Sequence, residues 1–167
     1  MKLCLIVYYS RSGVTAKVAS ALAQACGADL ERIEDLRPRS GAAGYLRSAW
    51  EALRGRPAQI APPRHRPGDY HVVVLGTPVW AGHMSAPIRS YIAQQRGQFR
   101  QLGLFCTMGG SGGPGVLAAM AALCGKPAAA TLCLRQRDVL NGMDQAALAG
   151  FARSLGLGTH PAPAGQA

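Results

Sequence analysis

The sequence predicts an open α/β sheet, wound in both directions and covered by helices on both faces. Three observations carry that reading. Short unbroken apolar runs alternate with longer stretches of helical periodicity, the pattern of parallel strands joined by crossover helices. At 167 residues the chain has length for one domain with its own core and too little for two. Hydrophobic residues make up 49% and charged residues 16%, too apolar a balance for a disordered chain.

Taken in order, Leu3 to Tyr9 reads as a first buried strand. Thr15 to Cys26 follows as a helix with Val18, Ala19, Leu22 and Ala23 inward, stopped by Gly27 where a C-terminal glycine belongs. A weaker second strand covers Asp29 to Leu36. Val72 to Leu75 is β-branched and too short for a helix, so it reads as a central strand. The next helix runs from Ser85 to Gln95 with Pro87 in the tolerated first turn. Leu102 to Met108 is the fourth strand, Val116 to Cys124 a helix, Ala129 to Leu134 the fifth strand, and Asp144 to Leu155 a closing helix.

Two regions fall outside this alternation. Residues 37–68 are far longer than an ordinary connection; Tyr45, Leu46, Ala49, Trp50 and Leu53 predict a short amphipathic helix over about 43–54, before a descent through Pro57, Pro62, Pro63 and Pro67. Residues 158–167 read as a disordered tail of Pro, Ala and Gly. One domain over 1–157, with its insertion at 37–68, is the expected organisation.

Composition excludes several function classes. No run approaches the roughly 18 apolar residues of a membrane span, and the N-terminus lacks a signal-peptide pattern, so a cytoplasmic location is expected. Cys4, Cys26, Cys106, Cys124 and Cys133 form no CxxC pair and no metal-ligand spacing, which reads as reduced, buried thiols rather than a metal or disulfide framework. The formal net charge is +10, from 18 Lys and Arg against 8 Asp and Glu. That excess suits an anionic partner, or it reflects only arginine-rich codon usage. Arg37, Arg39, Arg47, Arg54, Arg56, Arg64 and Arg66 crowd the insertion with Glu51 as the sole acid. A solvated rim and a docking surface for an acidic redox partner or anionic substrate both fit. Nucleic acid is the least supported partner, because no recognised binding motif accompanies the charge.

In an open parallel sheet, ligands sit beyond the carboxyl ends of the strands. After the first strand, Ser10, Arg11, Ser12, Gly13, Val14 and Thr15 bring hydroxyls and a glycine to a helix N-terminus. A phosphate monoester requires that combination, although an ordinary capped turn looks alike. The absence of GxxxxGK[ST] and GxGxxG argues against a nucleoside triphosphate or a dinucleotide. After the third strand, Gly76, Thr77, Pro78, Val79, Trp80, Ala81 and Gly82 place an indole in a glycine-bearing loop. It either covers a planar ring or folds back into the core. After the fourth strand, Thr107, Met108, Gly109, Gly110, Ser111 and Gly112 let backbone amides approach a ligand.

These stretches resemble the flavodoxin family. Val7 to Ala19 is similar to its phosphate-loop signature, residues 76–82 look like its second flavin loop, and residues 107–112 sit where the third belongs. The resemblance spans roughly residues 2–157 and implies a flavodoxin-like, three-layer α/β/α fold with five strands in the order 2-1-3-4-5 and a bound FMN. It places Ser10, Arg11, Ser12, Gly13, Val14 and Thr15 around the phosphate. Thr77, Pro78, Val79, Trp80, Ala81 and Gly82 fall beside the isoalloxazine, with Trp80 stacked on one face. Thr107, Met108, Gly109, Gly110, Ser111 and Gly112 fall at the pyrimidine edge.

Departures from the family pattern matter too. The third loop has no aromatic residue between Thr107 and Gly115, which leaves one flavin face for a substrate or for Tyr45 or Trp50. Two function classes follow: an electron carrier that docks redox partner proteins, and an oxidoreductase passing hydride from NAD(P)H to a quinone or similar small acceptor. A flavin-free signalling or binding module of the same topology is the third. His83 reads either as a proton donor near the ring or as a cap of the following helix. No catalytic residue and no metal ligand is assigned.

Overall fold

The structure is a computed structural model and describes residues 1–36 and 57–158. The parallel strands are β1 (Lys2–Tyr8), β2 (Asp29–Arg32), β3 (Tyr70–Trp80), β5 (Gln101–Met108) and β6 (Ala130–Arg135), while a short β4 (His83–Met84) folds back antiparallel on β3. Their order is β2-β1-β3-β5-β6, which is the expected 2-1-3-4-5 once the hairpin strand β4 is set aside.

Strand alternation sorts the core into two layers. Leu5, Val7, Val73, Leu75, Leu102 and Leu104 face α2 (Ala86–Gln95) and α3 (Gly113–Cys124), meeting Ile88, Tyr91, Ile92, Val116 and Met120. Cys4, Ile6, Val72, Val74 and Phe105 face the opposite side, against α1 (Val14–Cys26), α4 (Gln136–Asn141) and α5 (Gln145–Ser154). Each face of the sheet is therefore dry, as an all-parallel arrangement demands.

Several boundaries differ from the sequence reading. β2 stops at Arg32 rather than Leu36, because Asp35 instead bridges antiparallel to Ile60. β3 extends to Trp80, five residues past the expected Leu75. α3 begins at Gly113, not Val116, so Gly113, Pro114 and Gly115 are helical rather than loop. The short α4 is additional. The helix expected over 43–54, with Tyr45 and Trp50, and the tail from residue 159 lie outside the described residues.

The described limb of the insertion is held by β2 and the residues that follow it. Leu36 donates its N–H to the Gln59 carbonyl, and Ala61 donates to the Glu34 carbonyl, each at 2.9 Å. Beyond them, buried Glu31 accepts from the Arg64 N–H at 2.6 Å and the His65 N–H at 2.9 Å, and its carboxylate also meets His65 Nδ1. One carboxylate thus organises a chain reversal that no periodic pattern announces. Glu31→Ala strips these partners at once and is expected to cost about 2 kcal/mol, read as a lower urea midpoint with an unchanged slope.

Candidate functional site

Three segments meet at the carboxyl ends of β1, β3 and β5. In the first, Ser10 is buried and its Oγ accepts from the Gly13 N–H at 3.1 Å, folding the turn on itself. Gly13 adopts φ +90°, a left-handed conformation that glycine reaches without strain, and it caps α1 with no side-chain hydrogen bond. The first amides of α1 are therefore left with no side-chain acceptor from the cap, as an anion site at a helix N-terminus needs. Arg11 and Ser12 are exposed on the turn, whereas Val14 and Thr15 are buried beneath it.

The second segment is a hairpin. Trp80 pairs with His83 and Val79 with Met84; Ala81 (φ +47°) and Gly82 (φ +77°) make the turn. Two consecutive positive φ values define a type I′ connection, whose twist matches that of its strands. Ala81 and Gly82 are exposed at its tip, and Pro78 and Val79 are half-buried behind it. The third segment is shorter than expected, Gly109 to Gly112, all exposed. Gly112 (φ +95°) stands so close to the hairpin that a Cβ there would lie 3.3 Å from Gly82 Cα. The second and third segments thus abut.

Buried hydroxyls fix the arrangement from below. Thr15 Oγ1 and Thr107 Oγ1 are 2.8 Å apart, tying the start of α1 to the end of β5 across β3. Thr77 is fully buried; its Oγ1 accepts from the Ser85 N–H at 3.0 Å and lies 3.1 Å from Ser85 Oγ. Its hydroxyl therefore holds the hairpin rather than pointing into a site. Thr15→Val and Thr107→Val each strand a buried hydroxyl, so each single change is expected to cost about 1–2 kcal/mol and the pair less than the sum. A double-mutant cycle on urea midpoints reads the coupling.

Of the two readings of Trp80, its burial matches packing against the core: it is 8% exposed, with its ring 5.6 Å from that of Tyr9 and 88° to it, an edge contact. One expectation requires correction. His83 does not cap α2, which starts at Ser85 with no side-chain cap; His83 belongs to β4. Sequence reasoning also missed Arg32. From the end of β2 its Nη2 donates to the Ser10 carbonyl at 3.2 Å, placing a guanidinium under the first turn. The only signal was its position at the carboxyl end of a neighbouring strand.

The insertion's described arginines lie elsewhere. Arg64 and Arg66, with Lys2 and Arg100, line an open cleft of about 630 Å³ at the amino ends of the strands, away from these loops. Arg37, Arg39, Arg47, Arg54 and Arg56 lie outside the described residues. All five cysteines are free thiols. Burial pushes the thiol of Cys4 up to about 12 and that of Cys124 to about 11, and raises Cys26 and Cys106 as well. Among the described residues no three His, Cys, Asp or Glu side chains gather to hold a metal, and no helix is long and apolar enough to cross a membrane.

An open parallel sheet whose glycine turns converge at its carboxyl edge defines a ligand-binding doubly wound protein. A family model described as flavodoxin matches residues 3–150, and the chain belongs to the flavodoxin family. No curated protein matches it. Among solved structures, a protein from Bacteroides eggerthii DSM 20697 is 23% identical with a TM-score of 0.75, covering 94% of this chain and 99% of that one. A flavoprotein from Lactobacillus acidophilus NCFM, solved in complex with FMN, is 22% identical with a TM-score of 0.69, covering 84% and 97%. A WrbA-like flavodoxin from Agrobacterium tumefaciens is 16% identical with a TM-score of 0.56, covering 93% and 96%. At these identities the likeness is one of fold.

Proposed function

We propose that this chain binds one FMN noncovalently, within a single domain over residues 1–157, and works as a flavodoxin-like redox protein. The observation that carries the reading is the pair of helices, α1 and α3, that begin at left-handed glycines without side-chain caps, on loops braced together by the Thr15–Thr107 contact. Family membership and the FMN-bound flavoprotein of the same fold support it.

In this reading Ser10, Arg11, Ser12, Gly13, Val14 and Thr15 hold the phosphate, with Arg32 supporting the turn. Pro78, Val79, Ala81 and Gly82 flank the ring system, and Thr77 and Trp80 set the hairpin from behind. Thr107, Met108, Gly109, Gly110, Ser111 and Gly112 bring backbone amides to its polar edge. Bound FMN supplies one- and two-electron redox chemistry; the protein supplies binding, orientation and electrostatics. Ala81, at positive φ on an exposed tip, is the peptide best placed to turn and change which backbone group it presents.

Electron transfer between redox partner proteins, including an acidic one steered by the basic surface, is the leading role. The absence of an aromatic residue from Gly109 to Gly112 favours a second one, NAD(P)H-dependent reduction of a quinone or similar small acceptor at an uncovered face. The absorption spectrum of the purified protein tests the cofactor. Photoreduction in two resolved one-electron stages marks the carrier, whereas bleaching by NADPH with quinone turnover marks the enzyme. A colourless protein that takes up no FMN leaves the flavin-free module.

Positive charge sets an expectation for the potential. Each charge about 10 Å from the ring is worth roughly 0.4 kcal/mol at bulk-water dielectric before screening; Arg11 lies on the first turn and Arg32, at the end of β2, donates to it. With a net charge of +10, bound FMN is expected to have a less negative reduction potential than in acidic carriers. Spectroelectrochemical titration at low and high salt reads both the offset and its screening.

A further inference from the structure

A convergence of sulfur lies directly behind the third loop. Cys106 on β5 and Cys133 on β6 are partners in the parallel ladder, and their Sγ atoms stand 3.6 Å apart. Met108, two residues further along β5, brings a third sulfur to the same place. A Cβ on Gly113 would lie 2.9 Å from Cys133 Sγ, 2.9 Å from Met108 Sδ and 3.1 Å from Cys106 Sγ. Three side chains thus surround one point, and the residue whose side chain would fill it is a glycine.

We propose that Cys106, Cys133 and Met108 form a binding site for a soft monovalent metal ion of the Cu(I) class. Three sulfurs held about 2.3 Å from one ion, the length of a zinc–thiolate bond, stand roughly 4 Å apart in a trigonal array. The two thiols already come within a few tenths of an ångström of that spacing. Gly113 Cα sits behind the point they surround, so an ion drawn into the sulfur plane lies on the side away from the backbone. Thiolate and thioether ligands together select Cu(I) over harder cations. No third His, Cys, Asp or Glu joins the two cysteines among the described residues, so the closed tetrahedral set of a structural zinc site is not assembled. A disulfide between the cysteines would give neither Met108 nor Gly113 a part.

Cys106 is buried, while Cys133 and Met108 are partly exposed, so the ion enters from their side. Each thiol releases its proton to solvent as it binds, with no change in oxidation state. Met108 immediately precedes the loop Gly109 to Gly112, so the loaded site fixes the start of a segment assigned to the flavin edge.

The test titrates the purified full chain anaerobically with Cu(I), added as its acetonitrile complex, against bathocuproine disulfonate. One ion retained per chain, with sulfur-only coordination by X-ray absorption, is the expected result. Cys106→Ser and Cys133→Ser are expected to abolish retention, and Met108→Leu to weaken it about tenfold. Gly113→Ala keeps every ligand but sets a methyl among the sulfurs, and is also expected to abolish retention. Cys124→Ser, in the core of α3, leaves it unchanged. Circular dichroism and a urea midpoint identify variants that remain folded. No retention by the wild type overturns the proposal, as does retention that survives Cys133→Ser and Gly113→Ala. Zinc held in preference to Cu(I), or a Cys106–Cys133 disulfide in mass spectra of the untreated protein, does so too.

Discussion

Gly76→Ala is expected to be the most destabilising small substitution in this protein. Gly76 lies in the middle of β3 beside Phe105 of β5, and a Cβ there would stand 2.1 Å from Phe105 Cζ and 2.4 and 2.7 Å from its two Cε atoms. Phe105 is fully buried, and its ring is rigid, so it has no solvent into which to swing. Either the ring or the central strand must move, which costs about 3 kcal/mol or more. The cause is separable from a generic strand effect by adding Phe105→Leu. That change alone opens a cavity and destabilises, yet in the Gly76→Ala background it is expected to restore part of the loss. A double-mutant cycle on urea midpoints should therefore show a favourable coupling above about 1 kcal/mol. Additive losses would mean that the ring is not what the glycine accommodates.

The same residue shows why the sheet was legible and the site only partly so. Val72 to Leu75 announces a central strand through β-branching, and β1, β5 and β6 announce themselves through their apolar residues, whereas β2, Asp29-Leu30-Glu31-Arg32, carries only a weak signal; the winding order follows from the family resemblance. Gly76 and Pro78 then read as the end of the strand, because both residues usually punctuate. Here Gly76 is demanded by a ring 29 positions away, a contact invisible to local pattern. Pro78 is tolerated because the β1 ladder stops at Gly76, beyond which β3 has no N–H to donate to β1. Gly113 reads as loop for a similar reason, while its neighbours Cys106, Met108 and Cys133 are what require it. Pro114 falls in the first turn of α3, where proline is favoured.

Side-chain roles that depend on distant partners were the least readable. Trp80 in a glycine-bearing loop suggests a ring in need of a flat partner, and Tyr9, just past the carboxyl end of β1, packs edge-on against it. Thr77 reads as a ligand hydroxyl until Ser85 is found beside it. Glu31 and Arg32 are adjacent in sequence and point to opposite sides of an edge strand, one organising the insertion and the other supporting the first turn. Nothing in a single sequence separates such residues from an ordinary solvated edge.

Discrimination between FMN and riboflavin is where the first turn is expected to have its largest effect on binding. The two molecules share the ring and differ in the dianionic ester, so their affinity ratio isolates the grip assigned to residues 10–15. Charge-assisted hydrogen bonds contribute about 1.5–3 kcal/mol each. Two such bonds from the uncapped amides of α1 already predict FMN binding at least about 100-fold tighter than riboflavin. Ser12→Asp puts a carboxylate on the exposed rim of the turn and is expected to lower FMN affinity about 100-fold through like-charge repulsion. Arg32→Ala removes the donor to the Ser10 carbonyl and a nearby positive charge, lowering it about tenfold. Riboflavin, with no charge to repel or attract, should lose little in either variant. Fluorescence titration of both ligands against the wild type and the two variants gives six affinities. If riboflavin and FMN bind equally well, or if Ser12→Asp weakens both alike, the phosphate does not lie in this turn, and Gly13 would owe its conformation to chain geometry alone.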